Sequence, residues 1–114
     1  MHELSIAQSI LSIAENAVPG NCTAQVTSVA LQIGELSGIE VESLKFAFSV
    51  IREDTRLSKA DLTIQVVEGE AECSQCQTTF PIHSYGTCCP ECAGYSMKIL
   101  KGREMRVLNI EVDE

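Results

Sequence analysis

Hydrophobic positions between residues 4 and 18 recur at helical spacing. Leu4, Ala7, Leu11, Ala14 and Val18, with Ile6, Ile10, Ile13 and Ala17 beside them, fill one half of a helical wheel. Ser5, Gln8, Ser9, Ser12, Glu15 and Asn16 share the other half. The pattern predicts an amphipathic helix ended by Pro19-Gly20, since proline cannot continue the hydrogen-bond ladder and glycine suits the turn. From Gln25 to Gly34 the period changes to two, with Thr27, Val29, Leu31 and Ile33 alternating with Val26, Ser28, Ala30 and Gln32. That is a strand pattern. A second helix follows over roughly 40–53, with Val41, Leu44, Ala47, Phe48 and Ile51 on one face. Ser37-Gly38-Ile39-Glu40 ahead of it has the spacing of a capping box. Asp61 to Glu68 and Glu104 to Val112 read as two more strands.

The order is therefore α-β-α-β, then a cysteine-rich insert, then β. The expected fold class is α+β, two helices on a three-stranded sheet, with the insert as a four-cysteine, zinc-ribbon-like lobe. A layer this small cannot take the insert into its core, so the insert should project between two strands that pair with each other. The expected division is an α/β domain of residues 1–70 plus 103–114, with a second domain of residues 71–102.

Composition supports a folded chain with an aliphatic core. The 114 residues are 45% hydrophobic but only 4% aromatic, with no Trp. No apolar run approaches the ~20 residues of a membrane span. The start, Met1-His2-Glu3, has no Lys or Arg before Lys45 and does not read as a targeting signal. The expected compartment is thus the cytoplasm, where paired cysteines bind metal more often than they form disulfides. Sixteen acids against eight bases leave a net charge of −8, which argues against nonspecific binding of nucleic acid.

Charge is uneven along the chain. Residues 1–72 carry 11 acids and 4 bases, whereas residues 73–102 carry 1 and 2 and hold five of the six cysteines. Within that segment Cys73-Ser74-Gln75-Cys76 and Cys89-Pro90-Glu91-Cys92 are two CxxC pairs. Zn²⁺ takes four ligands at tetrahedral corners, with thiolates at ~2.3 Å. A CxxC turn makes two sulfurs converge, and a hairpin over 77–88 would bring the two turns together. The segment is poor in apolar residues and needs a metal staple to fold. A pair of disulfides is the competing reading. Four thiolates leave no open position, so the site is expected to be structural. Cys88, one residue further from Cys92 than a CxxC allows, offers an alternative pairing that the Pro90 turn disfavours. His83 would be a ligand only in place of a cysteine, and Cys22 reads as a small loop residue.

The N-terminal triplet carries a second chemistry. Initiator methionine is normally removed only ahead of small residues, so bulky His2 keeps Met1. The α-amine of Met1, the amide nitrogen of His2 and the His2 imidazole then follow one another closely. Ni²⁺ and Cu²⁺ prefer square-planar nitrogen ligands and can take all three, with the Glu3 amide as a fourth. Glu3 itself falls on the apolar side of the first helix, an unusual place for a solvated carboxylate. A frayed terminus with a stray histidine is the plainer alternative.

Taken in order, Met1-His2-Glu3, the amphipathic helix, Ile33-Gly34-Glu35-Leu36, Leu44-Lys45-Phe46-Ala47-Phe48, the two CxxC pairs and Glu104-Met105-Arg106-Val107 span the full length. This series resembles the HypA/HybF family, the nickel metallochaperones of hydrogenase maturation. The resemblance implies a nickel-binding α/β domain and a zinc domain inserted before the last strand. It implies nickel delivery to the [NiFe]-hydrogenase large subunit precursor, with a HypB-type GTPase as partner and urease as a second client in some organisms. By matched position, Met1, His2 and Glu3 would form the nickel site, and Cys73, Cys76, Cys89 and Cys92 would hold zinc. Some members of the family follow each CxxC with His. Gln77 and Ala93 stand there in this chain, so pH sensing through those histidines is not expected of it.

Two other functions compete with a nickel carrier. A zinc-ribbon nucleic-acid module is disfavoured because Zn²⁺ and four thiolates add −2 to an insert of formal charge +1. A rubredoxin-like electron carrier would use the same four cysteines for iron. No Gly-rich phosphate loop, nucleophile motif or paired catalytic histidines occur, so the chain is not expected to be an enzyme.

Overall fold

A computed structural model describes residues 3–18 and 24–113. The expected stop at Pro19-Gly20, Cys22, and the expected nickel ligands Met1 and His2 lie outside the described residues. The chain forms α1 (Glu3–Ala17), β1 (Gln25–Gly34), α2 (Val41–Ile51), β2 (Asp61–Val67), β3 (Glu70–Cys73), β4 (Thr79–Pro81), β5 (Met97–Lys101) and β6 (Met105–Asp113). Among the described residues the fold is α+β, with two helices and two three-stranded sheets, ordered β2-β1-β6 and β4-β3-β5. Among the described residues no helix is long and apolar enough to cross a membrane.

The chain divides into two compact units. The first comprises Met1–Leu31, Ile39–Gln65 and Arg106–Glu114. Its core is aliphatic apart from Phe48: Ala7, Ile10, Ala14, Val26, Val29, Leu31, Leu44 and Leu57 are buried beside it. The apolar stripe of α1 is narrower than the wheel suggests. Only Ala7, Ile10 and Ala14 of the helix are buried, while Leu4 and Ile13 are about half exposed. α1 packs on α2, and the edges of its wide stripe remain in solvent.

β1 lies between β2 and β6, so the two strands flanking the insert do not pair with each other, contrary to the sequence expectation. β1 has five buried positions, and β2 and β6 have none. β1 carries no charged residue, whereas β2 has Asp61 and β6 has Arg106, Glu111 and Asp113, and strands that carry charge suit the edges.

α2 is capped by Glu40 rather than by Ser37. Glu40 has extended backbone and its carboxylate accepts from the Glu42 amide at 3.1 Å. Ser37 instead closes a turn, donating its amide to Gly34 O at 3.0 Å, and Gly38 with φ 80° redirects the chain before the helix begins. The expected capping box does not form because that turn intervenes. Arg56 ties the segment after α2 to α1, its Nε 3.1 Å from Glu15 Oε2.

The second unit comprises Gln32–Gly38 and Val66–Met105. β3 is its central strand, antiparallel to β4 (Ala71 opposite Phe80) and to β5 (Ala71 opposite Ile99). On β5 the register sets Glu72 opposite Lys98 and Glu70 opposite Lys101, pairing opposite charges across the strands. The hairpin is therefore β3–β4 with the first CxxC at its tip. The expected hairpin over 77–88 does not form, because only Thr79–Pro81 of that span is strand. Phe80, Ile82, Ala71 and Leu36 join Cys73 and Cys89 in a small core, with Met97 and Ile99 against it.

Leu36 reaches this core from a strap, residues 32–38, that binds by its backbone. The Glu35 amide donates to Val67 O (2.8 Å) and the Leu36 amide to Gly102 O (2.6 Å). Two glycines permit so close an approach. A Cβ on Gly34 would stand 2.0 Å from Gly102 O, and one on Gly69 2.0 Å from Ile82 O.

Candidate metal centre

The first CxxC occupies the turn between β3 and β4, and the second lies in the loop between β4 and β5. The two turns are built alike. The Cys73 amide donates to Thr78 O and the Gln77 amide returns a bond to Cys73 O, at 2.9 and 3.0 Å. The Cys89 amide donates to Gly94 O and the Ala93 amide returns one to Cys89 O, both at 2.8 Å. Amides inside each turn point at its first sulfur: Gln75 N to Cys73 Sγ and Glu91 N to Cys89 Sγ are each 3.4 Å. Such amide dipoles stabilise a thiolate before any metal arrives.

The Sγ atoms of Cys73, Cys76, Cys89 and Cys92 all lie within 4.8 Å of one another. The closest pairs cross between turns, Cys73 to Cys92 at 3.5 Å and Cys76 to Cys89 at 3.6 Å. Four thiolates ~2.3 Å from a tetrahedral centre would stand about 3.8 Å apart. The donor set therefore fits one four-coordinate soft cation. Cys73 and Cys89 are buried, whereas Cys76 and Cys92 face solvent. Cys88 is half-buried and outside the four-sulfur group, which answers the alternative pairing raised by its spacing. His83 is also outside. Its Nδ1 lies 2.8 Å from Glu35 Oε2 on an exposed surface.

The thiols of Cys73, Cys76 and Cys92 do not ionise alike. Hydrogen bonds from the Cys76 and Gln75 amides lower Cys73. The Thr78 hydroxyl, 3.2 Å from Cys76 Sγ, and then the Thr78 backbone pull Cys76 down to about 6. At Cys92 the Gly94 amide favours the thiolate. Hydrogen bonding with Cys73, burial and the other thiols outweigh it and push Cys92 up to about 12. Sharing hydrogen bonds with the other thiols thus keeps the Cys92 sulfur protonated. A cation at the centre would reverse that preference.

Thr78, Gln75 and Gly94 escape a search for ligand types, yet each acts on the sulfurs. Gln75 Oε1 accepts from Cys92 Sγ at 3.8 Å. Thr78 was open to sequence reasoning, since it stands two residues after Cys76. Gln75 meets Cys92 only once the turns converge.

At the other candidate site, Glu3 opens α1, and its Oε2 accepts from the Glu40 amide at 3.2 Å. The first residue of α1 is thereby held to the cap of α2. That accounts for a carboxylate on the apolar side of the helix.

Comparison with known proteins agrees with these features. The family model described as hydrogenase/urease nickel incorporation, metallochaperone, HypA matches residues 1–112. The hydrogenase maturation factor HypA of Parabacteroides distasonis is 41% identical over 112 residues, covering 98% of this chain and 97% of that protein. The hydrogenase maturation factor HypA of Chlorobaculum parvum is 42% identical over 114 residues, covering 99% and 100%. The solution structure of the Ni metallochaperone HypA from Helicobacter pylori superimposes with a TM-score of 0.63 at 29% identity, covering 97% of each chain. Matched nearly from end to end in both sequence and fold, the chain belongs to the HypA family of hydrogenase/urease nickel-incorporation metallochaperones.

Proposed function

We propose that this chain carries one Ni²⁺ at its N-terminus and hands it on for assembly of a [NiFe]-hydrogenase, with urease a second client in some hosts. The observation that carries the reading is the match of the nickel-incorporation family across residues 1–112, which includes the Met1-His2-Glu3 triplet. The Met1 amine, the His2 amide nitrogen and the His2 imidazole supply three nitrogens in a planar arrangement suited to Ni²⁺. The Glu3 amide supplies a fourth. The Glu3 carboxylate, engaged by the Glu40 amide, holds the start of α1 in place rather than the metal.

The four cysteines Cys73, Cys76, Cys89 and Cys92 hold zinc in a structural role. Zinc there ties the two CxxC turns together. A closed shell of four thiolates leaves no place for an exchanging ligand, so this metal is not the cargo. The zinc domain expected over residues 71–102 falls within the unit of Gln32–Gly38 and Val66–Met105, and nickel belongs to the unit of Met1–Leu31, Ile39–Gln65 and Arg106–Glu114. The chain performs no catalysis, and nucleotide hydrolysis belongs to a HypB-type GTPase partner. The hydrogenase large subunit precursor receives the nickel in the cytoplasm.

A nickel titration of the chain with its native N-terminus, against one extended by a few residues, tests this. Extension turns the Met1 amine into an amide and should remove tight binding. Native affinity and a planar spectrum in the extended chain would overturn the amine-anchored site.

A further inference from the structure

α2 turns one aromatic ring away from the core. Leu44 and Phe48 are buried on its inner face, but Phe46 is 71% exposed and Val50, one turn on, is 54% exposed. Residues four apart lie on one stripe of a helix. Of the three Phe residues, Phe48 and Phe80 are buried and only Phe46 stands in solvent. A large apolar ring with an apolar neighbour on a helical surface is the form that interface anchors take.

The charges around the stripe state what kind of surface it fits. Glu42 lies one turn before Phe46, and Glu53 and Asp54 follow Val50; all three are exposed. The arginines nearby are turned inward. Arg52 lies over the Phe48 ring and donates to Ala60 O, and Arg56 binds Glu15 and Ala24 O. Lys45 leans on Glu42 at 3.8 Å. An apolar centre with acidic ends complements an apolar pocket ringed by Lys or Arg.

The stripe also lies close to the cargo end of its unit. The Glu3 carboxylate holds the Glu40 amide at the head of α2, and six helical residues from Glu40 to Phe46 cover only ~9 Å. A protein seated on Phe46 would thus be beside the N-terminal segment.

We propose that the Phe46–Val50 stripe of α2 is the docking surface for the HypB-type GTPase, through an apolar pocket of that partner rimmed by Lys and Arg. This rests on the nickel-carrier reading.

The test uses the full chain and the HypB-type GTPase as probe, with affinity measured by calorimetry at low and high salt. Phe46→Ser should weaken binding at least ~10-fold and leave the melting curve and the nickel titration unchanged, since the ring is outside the core. Glu42→Gln with Glu53→Gln should flatten the salt dependence of binding. Unchanged affinity of Phe46→Ser overturns the proposal and leaves the carrier reading standing. So does a wild-type chain that takes nickel but ignores the GTPase, or one whose Phe46 mediates only self-association by sedimentation. A chain that binds no nickel, yet loses the GTPase on Phe46→Ser, supports the docking surface and overturns the carrier reading.

Discussion

Gln77 and Ala93 are structural counterparts, each four residues after the first cysteine of a CxxC and each in the left-handed backbone region, at φ 61° and 60°. Both return an amide hydrogen bond to that cysteine's carbonyl. The position therefore has a backbone duty that is independent of the side chain there. Left-handed backbone costs an L-residue roughly 1 kcal/mol relative to Gly. Ala93→Gly should accordingly raise the stability of the metal-loaded chain by up to about 1 kcal/mol. Gln77→Gly should gain less, because Gln77 Nε2 donates to Ser74 O at 3.2 Å and that bond would be lost. Chemical denaturation of both variants checks the order.

Removing the metal proposed to sit among the four cysteines should unfold more than the cysteine turns. Leu36 shares a core with Cys73 and Cys89, and few other side chains fill it. After chelation, amide dispersion should collapse across 70–101 and at Leu36 in an NMR spectrum. An unchanged Leu36 amide would show that its packing does not depend on the metal.

Glu35 should make the second unit sensitive to acid. Its carboxylate accepts from the Gly69 amide at 3.0 Å and meets His83 at 2.8 Å, and these bonds, the amide first, hold it below the ordinary 4.5. A carboxyl lowered in the folded state adds stability that is present above its unfolded value and lost as pH falls through the folded one. The Glu35 carboxyl carbon should therefore titrate with a midpoint below 4.5, in step with the Gly69 amide. Glu35→Gln should destabilise the chain at neutral pH and lose that effect in acid. A difference from wild type that stays constant with pH would exclude this linkage.

Two glycine substitutions separate crowding from backbone preference. Gly34→Ala drives a methyl into the Gly102 carbonyl and should cost about 1–3 kcal/mol. Gly86 has open space around its Cα but φ +86°, so Gly86→Ala should cost only about 1 kcal/mol. Equal losses in thermal melts would contradict the crowding at Gly34.

At the proposed N-terminal site, nickel binding should strengthen as pH rises, because the Met1 amine and the backbone amides would have to lose protons to coordinate. His2→Ala removes the imidazole and should abolish tight Ni²⁺ binding while one zinc per chain is retained, by elemental analysis. Cu²⁺ should bind at least as well as Ni²⁺. Retained nickel affinity in His2→Ala would place the site elsewhere.

Much of this protein is written in short-range pattern. The helices, β1, β2 and β6 follow from apolar spacing of 3.6 or 2, which neighbouring residues set among themselves. The doubled CxxC likewise announces converging sulfurs, because its geometry is local to each turn. Strand order was decided elsewhere: β1, which carries no charge where β2 and β6 do, takes the centre, a comparison made only when all three meet. The shift of the α2 cap from Ser37 to Glu40 has the same origin, since residues 32–38 are bound to the unit of the cysteines by Glu35 and Leu36 before the helix can start. The exposure of Phe46 was decided by the fold as well. Periodicity sets which residues share a helical face, but which face finds a partner depends on packing between segments far apart in the chain.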